Sequence, residues 1–339
     1  MNTNIRVYLH SIGLYLKVAT LCTLLCLTMQ SCEKESHIDP EEQHAISMTA
    51  TSTNMAPLRA IIDSDAKLQE TDLGVYAHMQ RANNEKILVF NNEKLYYDNG
   101  WKYDNIQYWI KSAIEYRFVA YSPYSPYHTG NVSYDMDAHT LKINNIPYWQ
   151  EVGDAIEDVD YLIANSKGNV DDYLSSDSKG VDLDFDHILS QLVVNIKKDA
   201  SLNSTKYILK KVDYINVPKG EEVATYTRTE ENGSMGDIEI VTELNKFYGS
   251  KEISSDKNIT LSHLTVPFDL NDKEVQIRLT YTVAGTERSK TVENIQLTKL
   301  AAGKHYELTL TFNGTEIVPQ LKVKDWSNIN IDEDPKYNW

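Results

Sequence analysis

The sequence predicts an all-β protein: two β-sandwiches in tandem behind an export signal and an acidic leader. Three observations carry this expectation. Short apolar and aromatic runs recur at roughly regular spacing, with Gly, Asn and Pro marking the turns between them. Several runs alternate with period two and so offer one face to a core, as do Val275, Ile277, Leu279 and Tyr281, or Tyr306, Leu308, Leu310 and Phe312. The 339 residues, 41% of them apolar, are enough for one large core or two modest ones, and length favours two.

The leader comes first. Arg6 and Lys17 form a basic region, and Val18 to Met29 is a twelve-residue apolar run, too short to span a bilayer and therefore a signal-peptide core. Ser31 precedes Cys32, and the acidic stretch Glu33 to Gln43 follows. That is the shape of a bacterial lipoprotein signal, cleaved before Cys32, whose thiol then carries lipid such as palmitate. Met29 and Gln30 depart from the Leu and Ala of a strict lipobox. The expected divisions are a signal peptide over 1–31, an acidic leader over 32–44, and sandwich domains over 45–199 and 200–339.

Composition narrows the function. All three cysteines, Cys22, Cys26 and Cys32, lie in the leader or at its end, so the body has no disulfide, thiolate metal site or thiol nucleophile. The formal charge is −16, and losing Arg6 and Lys17 with the signal takes it to about −18. Such a balance argues against nucleic acid and anionic lipid surfaces as partners.

Along the body, Ala45 to Met55 is Thr- and Ser-rich and alternates weakly, like an edge strand that Pro57 ends. Arg59 follows in a loop, either as a solvated cation or as a protease site if exposed. Leu73 to Met79 and Lys86 to Phe90 read as strands separated by the polar Gln80 to Glu85. Lys94 to Tyr97 reads as a separate short strand, turned by Asn99-Gly100 as a type I′ hairpin into Trp101 to Tyr103. Tyr116 to Tyr121 then places Tyr116, Phe118 and Ala120 on one face. These aromatics suit a sandwich core or, alternatively, a sugar-stacking platform at Trp101, Trp109 or Trp149.

Beyond Asp199 the strands restart with Tyr207 to Val217, ended by Pro218-Lys219-Gly220. Ile238 to Val241, Ile259 to Val266, Val275 to Val283, Ser289 to Leu297, His305 to Phe312 and Ile317 to Val323 follow. Trp326 stands after the last of them.

Leu73-Gly-Val-Tyr-Ala77, Leu95-Tyr-Tyr97, Trp101-Lys-Tyr103, Tyr108-Trp109 and Tyr116 to Pro123 resemble the fimbrillin-like lipoproteins of Bacteroides-type bacteria. The likeness continues through Asp160 to Ala164, Leu183 to Ile196, Leu264 to Pro267, Ala302 to Tyr306 and Val323 to Trp326. It implies transthyretin-like, seven-stranded sandwiches and a structural subunit of a fimbrium at the outer membrane, with no cofactor and no catalytic role. It also implies an arginine-specific protease that removes the leader and first strand, so that a donor strand from another subunit fills the vacated groove and a fibre grows. Carried over, the cut falls between Arg59 and Ala60, the removed strand is Ala45 to Met55, and the donor comes from Ile317 to Val323 or Ile329 to Ile331. The sequence runs thirteen residues past Trp326, short for a major shaft subunit, which leaves a tip, accessory or anchor role open. The family also implies an adhesive ligand on a host or bacterial surface.

Catalytic motifs do not emerge. His187 lies near Asp182, Asp184 and Asp186, but in a strand the three aspartates share the opposite face, and no glycine or distal glutamate completes a calcium loop. The expected role of His187 is packing beside Phe185 and Ile188, with calcium at the aspartates as the alternative. There is no Gly-x-Ser-x-Gly elbow and no phosphate-binding glycine loop. Paired carboxylates leave no spacing signature, so a secreted hydrolase stands as a third class behind a fimbrial subunit and a surface glycan-binding lipoprotein.

Overall fold

Runs that alternate between apolar and polar residues need two sheets to cover their apolar faces, and the body supplies them in pairs. The computed structural model describes residues 44–52, 62, 64–152, 159–175, 180–230, 232–241, 243–314 and 316–326. By chain contacts the body begins at Ala45.

In chain order the strands of the first half are β1 (Met48–Ser52), β2 (Leu73–Arg81), β3 (Lys86–Tyr97), β4 (Trp101–Lys102), β5 (Ala113–Ser122), β6 (Val132–Asp135), β7 (Thr140–Pro147), β8 (Trp149–Val152), β9 (Leu162–Gly168), β10 (Val181–His187) and β11 (Ser190–Lys198). Those of the second half are β12 (Tyr207–Ile215), β13 (Val217–Pro218), β14 (Val223–Arg228), β15 (Gly233–Met235), β16 (Ile240–Val241), β17 (Leu244–Ile253), β18 (Ile259–Thr265), β19 (Phe268–Asp269), β20 (Gln276–Val283), β21 (Thr286–Val292), β22 (Lys299–Leu300), β23 (Lys304–Phe312) and β24 (Ile317–Asp325). The described helices are a turn or so long, as at Asp65–Gln69 and Val170–Ser175.

A seven-stranded sheet runs β1-β10-β9-β5-β2-β3-β4. Both of its faces are covered, which is why β2 is buried from Leu73 to Met79 without interruption. On one face Val75, Ala77, Phe118, Leu183 and Phe185 pack under Leu68, Trp109 and Tyr173. On the other, Tyr76, Val119, Tyr121 and Ile163 meet Leu141, Ile143 and Tyr226 of a four-stranded sheet ordered β15-β14-β7-β6. The second sandwich pairs a five-stranded sheet, β24-β23-β11-β18-β8, with a four-stranded one, β17-β12-β20-β21. Leu192, Val194, Leu308 and Leu310 there face Leu209, Val212, Ile277 and Leu279. Strands on either side of Asp199 pair with one another: β11 with β18 and β23, β8 with β18, and β7 with β14.

Local expectations change at β3 and at the turn into β4. Lys86–Tyr97 is one strand where two were expected, because Asn92 bends it without ending it. Its φ is 55°, and its side chain accepts from Tyr121 Oη at 2.6 Å and donates to Ser125 O at 2.9 Å. At Asn99-Gly100, three residues stand between the paired Tyr97 and Trp101, so the loop is longer than a two-residue type I′ turn, although both residues take positive φ as expected.

Candidate functional site

The expected edge strand is there: β1 lies at the margin of the seven-stranded sheet and pairs in parallel with β10, Met48 with Val181 through Ser52 with Phe185. Its alternation decides what it does. Met48, Ala50 and Ser52 point inward and are buried, while Thr49 and Thr51 point out. The outward hydroxyls donate to the aspartates opposite them, Thr49 Oγ1 to Asp182 at 2.5 Å and Thr51 Oγ1 to Asp184 at 2.6 Å. Two of the three aspartates are thereby occupied in cross-strand pairs. Among the described residues no cluster of three or more His, Cys, Asp or Glu could hold a metal ion.

The groove under β1 is built from distant parts of the chain. Ile46, Met48 and Ala50 join a core with Val181, Leu183, Phe185, Phe90 and Tyr103. Tyr103 donates its hydroxyl to Ile46 O at 2.6 Å, and burial raises its pKa, so it remains a donor. Trp101 Nε1 donates to Ala50 O at 3.1 Å, and Ser52 N–H donates to Asp65 Oδ1 at 2.7 Å. These bonds occupy backbone groups of β1, and of Ile46 just before it, with which no second strand pairs among the described residues.

Gly180 fits the strand closely. A Cβ there would stand 2.2 Å from Ser47 Oγ and 2.5 Å from Ser47 O, the oxygen that accepts from Val181 N–H. Gly180→Ala is therefore expected to push the start of β1 off the sheet and cost about 1 to 3 kcal/mol in a chain that retains β1. In a chain trimmed to Ala60 the same substitution should cost little. Urea midpoints of the four proteins measure the contrast, and equal losses with and without β1 would contradict it.

Cys32, Arg59 and Ala60 lie outside the described residues, as does Ile329 to Ile331. The other candidate donor, Ile317 to Val323, forms β24 at the edge of the five-stranded sheet and pairs with β23 along its whole length. Of the aromatics weighed as sugar platforms, Trp109 and Trp149 are buried, and half-buried Trp101 holds β1. Packing claims them in place of a ligand.

His187 is buried, as expected, but its partners were not legible. Its Nδ1 lies 3.1 Å from Asp160 Oδ1, and its ring stacks on Trp326 with centroids 4.0 Å apart and planes 5° from parallel. Asp160 Oδ2 also accepts from Ile62 N–H at 3.0 Å. This knot ties the segment just after Arg59 to the last described residue. Asp160 and Trp326 both stand in the stretches that carry the family likeness, yet nothing in their spacing places them against His187.

A model of the fimbrillin-like family matches residues 59–326. This chain belongs to the fimbrillin-like family. A fimbrial protein of Bacteroides vulgatus shares its fold at TM-score 0.58 and 15% identity, over 83% of this chain and 99% of that one. A cell adhesion protein of Bacteroides uniformis aligns at TM-score 0.49 and 16% identity, covering 85% and 99%. A C-terminally truncated tip fimbrial protein of Porphyromonas gingivalis aligns at 0.43 and 8%, covering 84% and 100%. No curated protein sequence matches. The fimbrillin-like assignment agrees with the all-β architecture and with the general absence of enzymes from that family.

Proposed function

We propose that this fimbrillin-like chain is a structural subunit of a cell-surface fimbria, assembled by exchange of β1 for a strand of another subunit. In this reading the precursor is exported as a lipoprotein acylated on Cys32 and held at the outer membrane. An arginine-specific protease cuts between Arg59 and Ala60, β1 leaves, and the groove beside β10 accepts a donor strand. The observation that carries the reading is the seat of β1. It lies at a sheet edge, pairs with one neighbour, and inserts Met48 and Ala50 as alternating knobs, the arrangement in which an incoming strand can supply both backbone bonds and side chains. Because the groove and the donor are different surfaces, the contact repeats without closing and gives a filament. Adhesion through a surface ligand belongs to the same reading. So does the two-domain division at Asp199, with β7, β8 and β11 reaching across it.

The test is intact mass and N-terminal sequencing of the protein recovered from the cell surface, with and without an arginine-specific protease. A new start at Ala60, with heat-stable ladders that vanish in Arg59→Ala, is the expected result. A chain that keeps its acylated Cys32 and resists trimming would end the exchange reading and leave an anchored lipoprotein.

A further inference from the structure

On the far side of the seven-stranded sheet, where β5 and β9 face β14, lies a cavity of about 310 Å³. Arg117, Asn165, Lys167, Tyr134, His139 and Arg228 are among its walls. We propose that it binds an acidic sugar, taking the carboxylate on Arg228 and the hydroxyls on the neutral polar groups around it. The proposal does not rest on the fibre reading, since an isolated subunit contains the whole cavity.

The charges single out Arg228. Arg117 is paired with Glu115 and Glu230, and Lys167 with the same two acids at 3.3 and 2.8 Å, so two cations and two carboxylates balance. The bond from Lys167 holds Glu230 below the usual carboxylate range. Arg228 is different. With the Asn165 amide oriented to donate to Ala164 O, its oxygen accepts from Arg228 Nε at 2.8 Å and Nη2 at 3.0 Å. Among the described residues no carboxylate stands within ion-pair distance of Arg228. A half-buried guanidinium held by a neutral amide is a fixed, uncompensated cation on a cavity wall, and a planar carboxylate suits its fork.

The rest of the wall suits a pyranose better than a bare anion. His139, on the wall, has a buried Nδ1 with no partner among the described residues, and behind it, outside the lining, the ring of His78 lies 4.4 Å away. Burial holds His78 down to about 4, with His139 adding to the effect, and burial lowers His139 too. Both imidazoles are therefore neutral near pH 7, and His139 brings the wall a hydrogen-bonding group without a charge. Thr229 adds a hydroxyl and Tyr134 an aromatic ring, while the side chains of Ser166 and Phe118 turn to the opposite face of the sheet, against Tyr173. Apolar faces with a few convergent polar groups, in a cavity of this size, describe a small-ligand site. A doubly charged phosphate or sulfate would want more free cations than this cavity holds.

Calorimetric titration of the full chain with glucuronate and N-acetylneuraminate tests the proposal, with glucose, acetate and sulfate as comparisons. At least one of the two acidic sugars should bind more tightly than all three comparisons. Arg228→Gln should weaken it about tenfold or more. Asn165→Asp, which places a carboxylate on the guanidinium while keeping an acceptor there, should do the same, and covers the case in which Arg228→Gln fails to fold. Failure of both acidic sugars to bind overturns the proposal, as does glucose binding equally well or an unchanged affinity in Asn165→Asp. Acetate or sulfate binding as tightly as the sugars would reduce the cavity to a simple anion site and overturn it as well.

Discussion

A chain that begins at Ala60, and so lacks β1, is expected to be less stable than the full chain by roughly 5 kcal/mol. It should recover most of that loss when a synthetic peptide spanning Ala45–Ser52 is added. The size follows from what β1 buries: Ile46 and Met48 are nearly inaccessible, Ala50 adds a methyl, and their removal opens the flank of Leu183 and Phe185 to water. A loss of that order is a large part of the stability of an ordinary domain. Trimmed protein should therefore self-associate at concentrations where the full chain stays monomeric. Rescue is mass action on the folded state, so the midpoint should rise with peptide concentration. A Met48→Asp peptide should fail, because a charge would enter the apolar groove without a partner. The checks are urea titration and native mass spectrometry. A trimmed chain as stable as the full one, or rescue by the Asp-bearing peptide, would show that the groove does not depend on β1.

The second large effect is expected at the knot around His187. Asp160→Ala should lower the unfolding free energy by about 3 to 5 kcal/mol, the range for breaking a buried charged or hydrogen-bonded pair from one side. It leaves His187 Nδ1 and the Ile62 amide without an acceptor in a site where neither His187 nor Asp160 meets solvent. The Nε2 of His187 already has no partner among the described residues, so the ring has no second hold besides the Trp326 stack. Asp160→Asn retains an acceptor and should cost distinctly less. Hydrogen exchange at Ile62 separates this role from general loss of packing: its amide should lose protection in Asp160→Ala before the amides of β11 do. Equal stability of the Ala and Asn variants would remove the carboxylate from the account.

What could be read from the residues was what is local. Period-two alternation placed β20 and β23 and their buried faces, and it placed His187 opposite Asp182, Asp184 and Asp186. Thr- and Ser-rich alternation marked β1 as an edge. Alternation says nothing about the neighbour a strand takes, so the parallel pairing of β1 with β10 and the Thr49–Asp182 contact were invisible. Asn91-Asn92 reads as a break within β3, but the side chain of Asn92 holds the bend with bonds to Tyr121 and Ser125. Asp160 and Trp326 were visible as family residues and meet at His187 only because the sheets bring them there. The cavity at Arg228 had no signal, since a cation without a carboxylate partner is defined by the fold around it.

The parallel register of β1 also orders events in time. A parallel neighbour cannot arrive through a hairpin, and the residues that Thr49 and Thr51 meet lie 133 positions further along the chain. Closing so wide a loop is slow compared with the local hairpins of β2 with β3 or β20 with β21. In a chain that emerges from the ribosome N-terminus first, the first strand to appear waits unpaired until Val181 to Phe185 has followed it out. Docking of β1 thus follows the local hairpins of the sheet it joins, and the strand comes to rest on neighbours that pair without it.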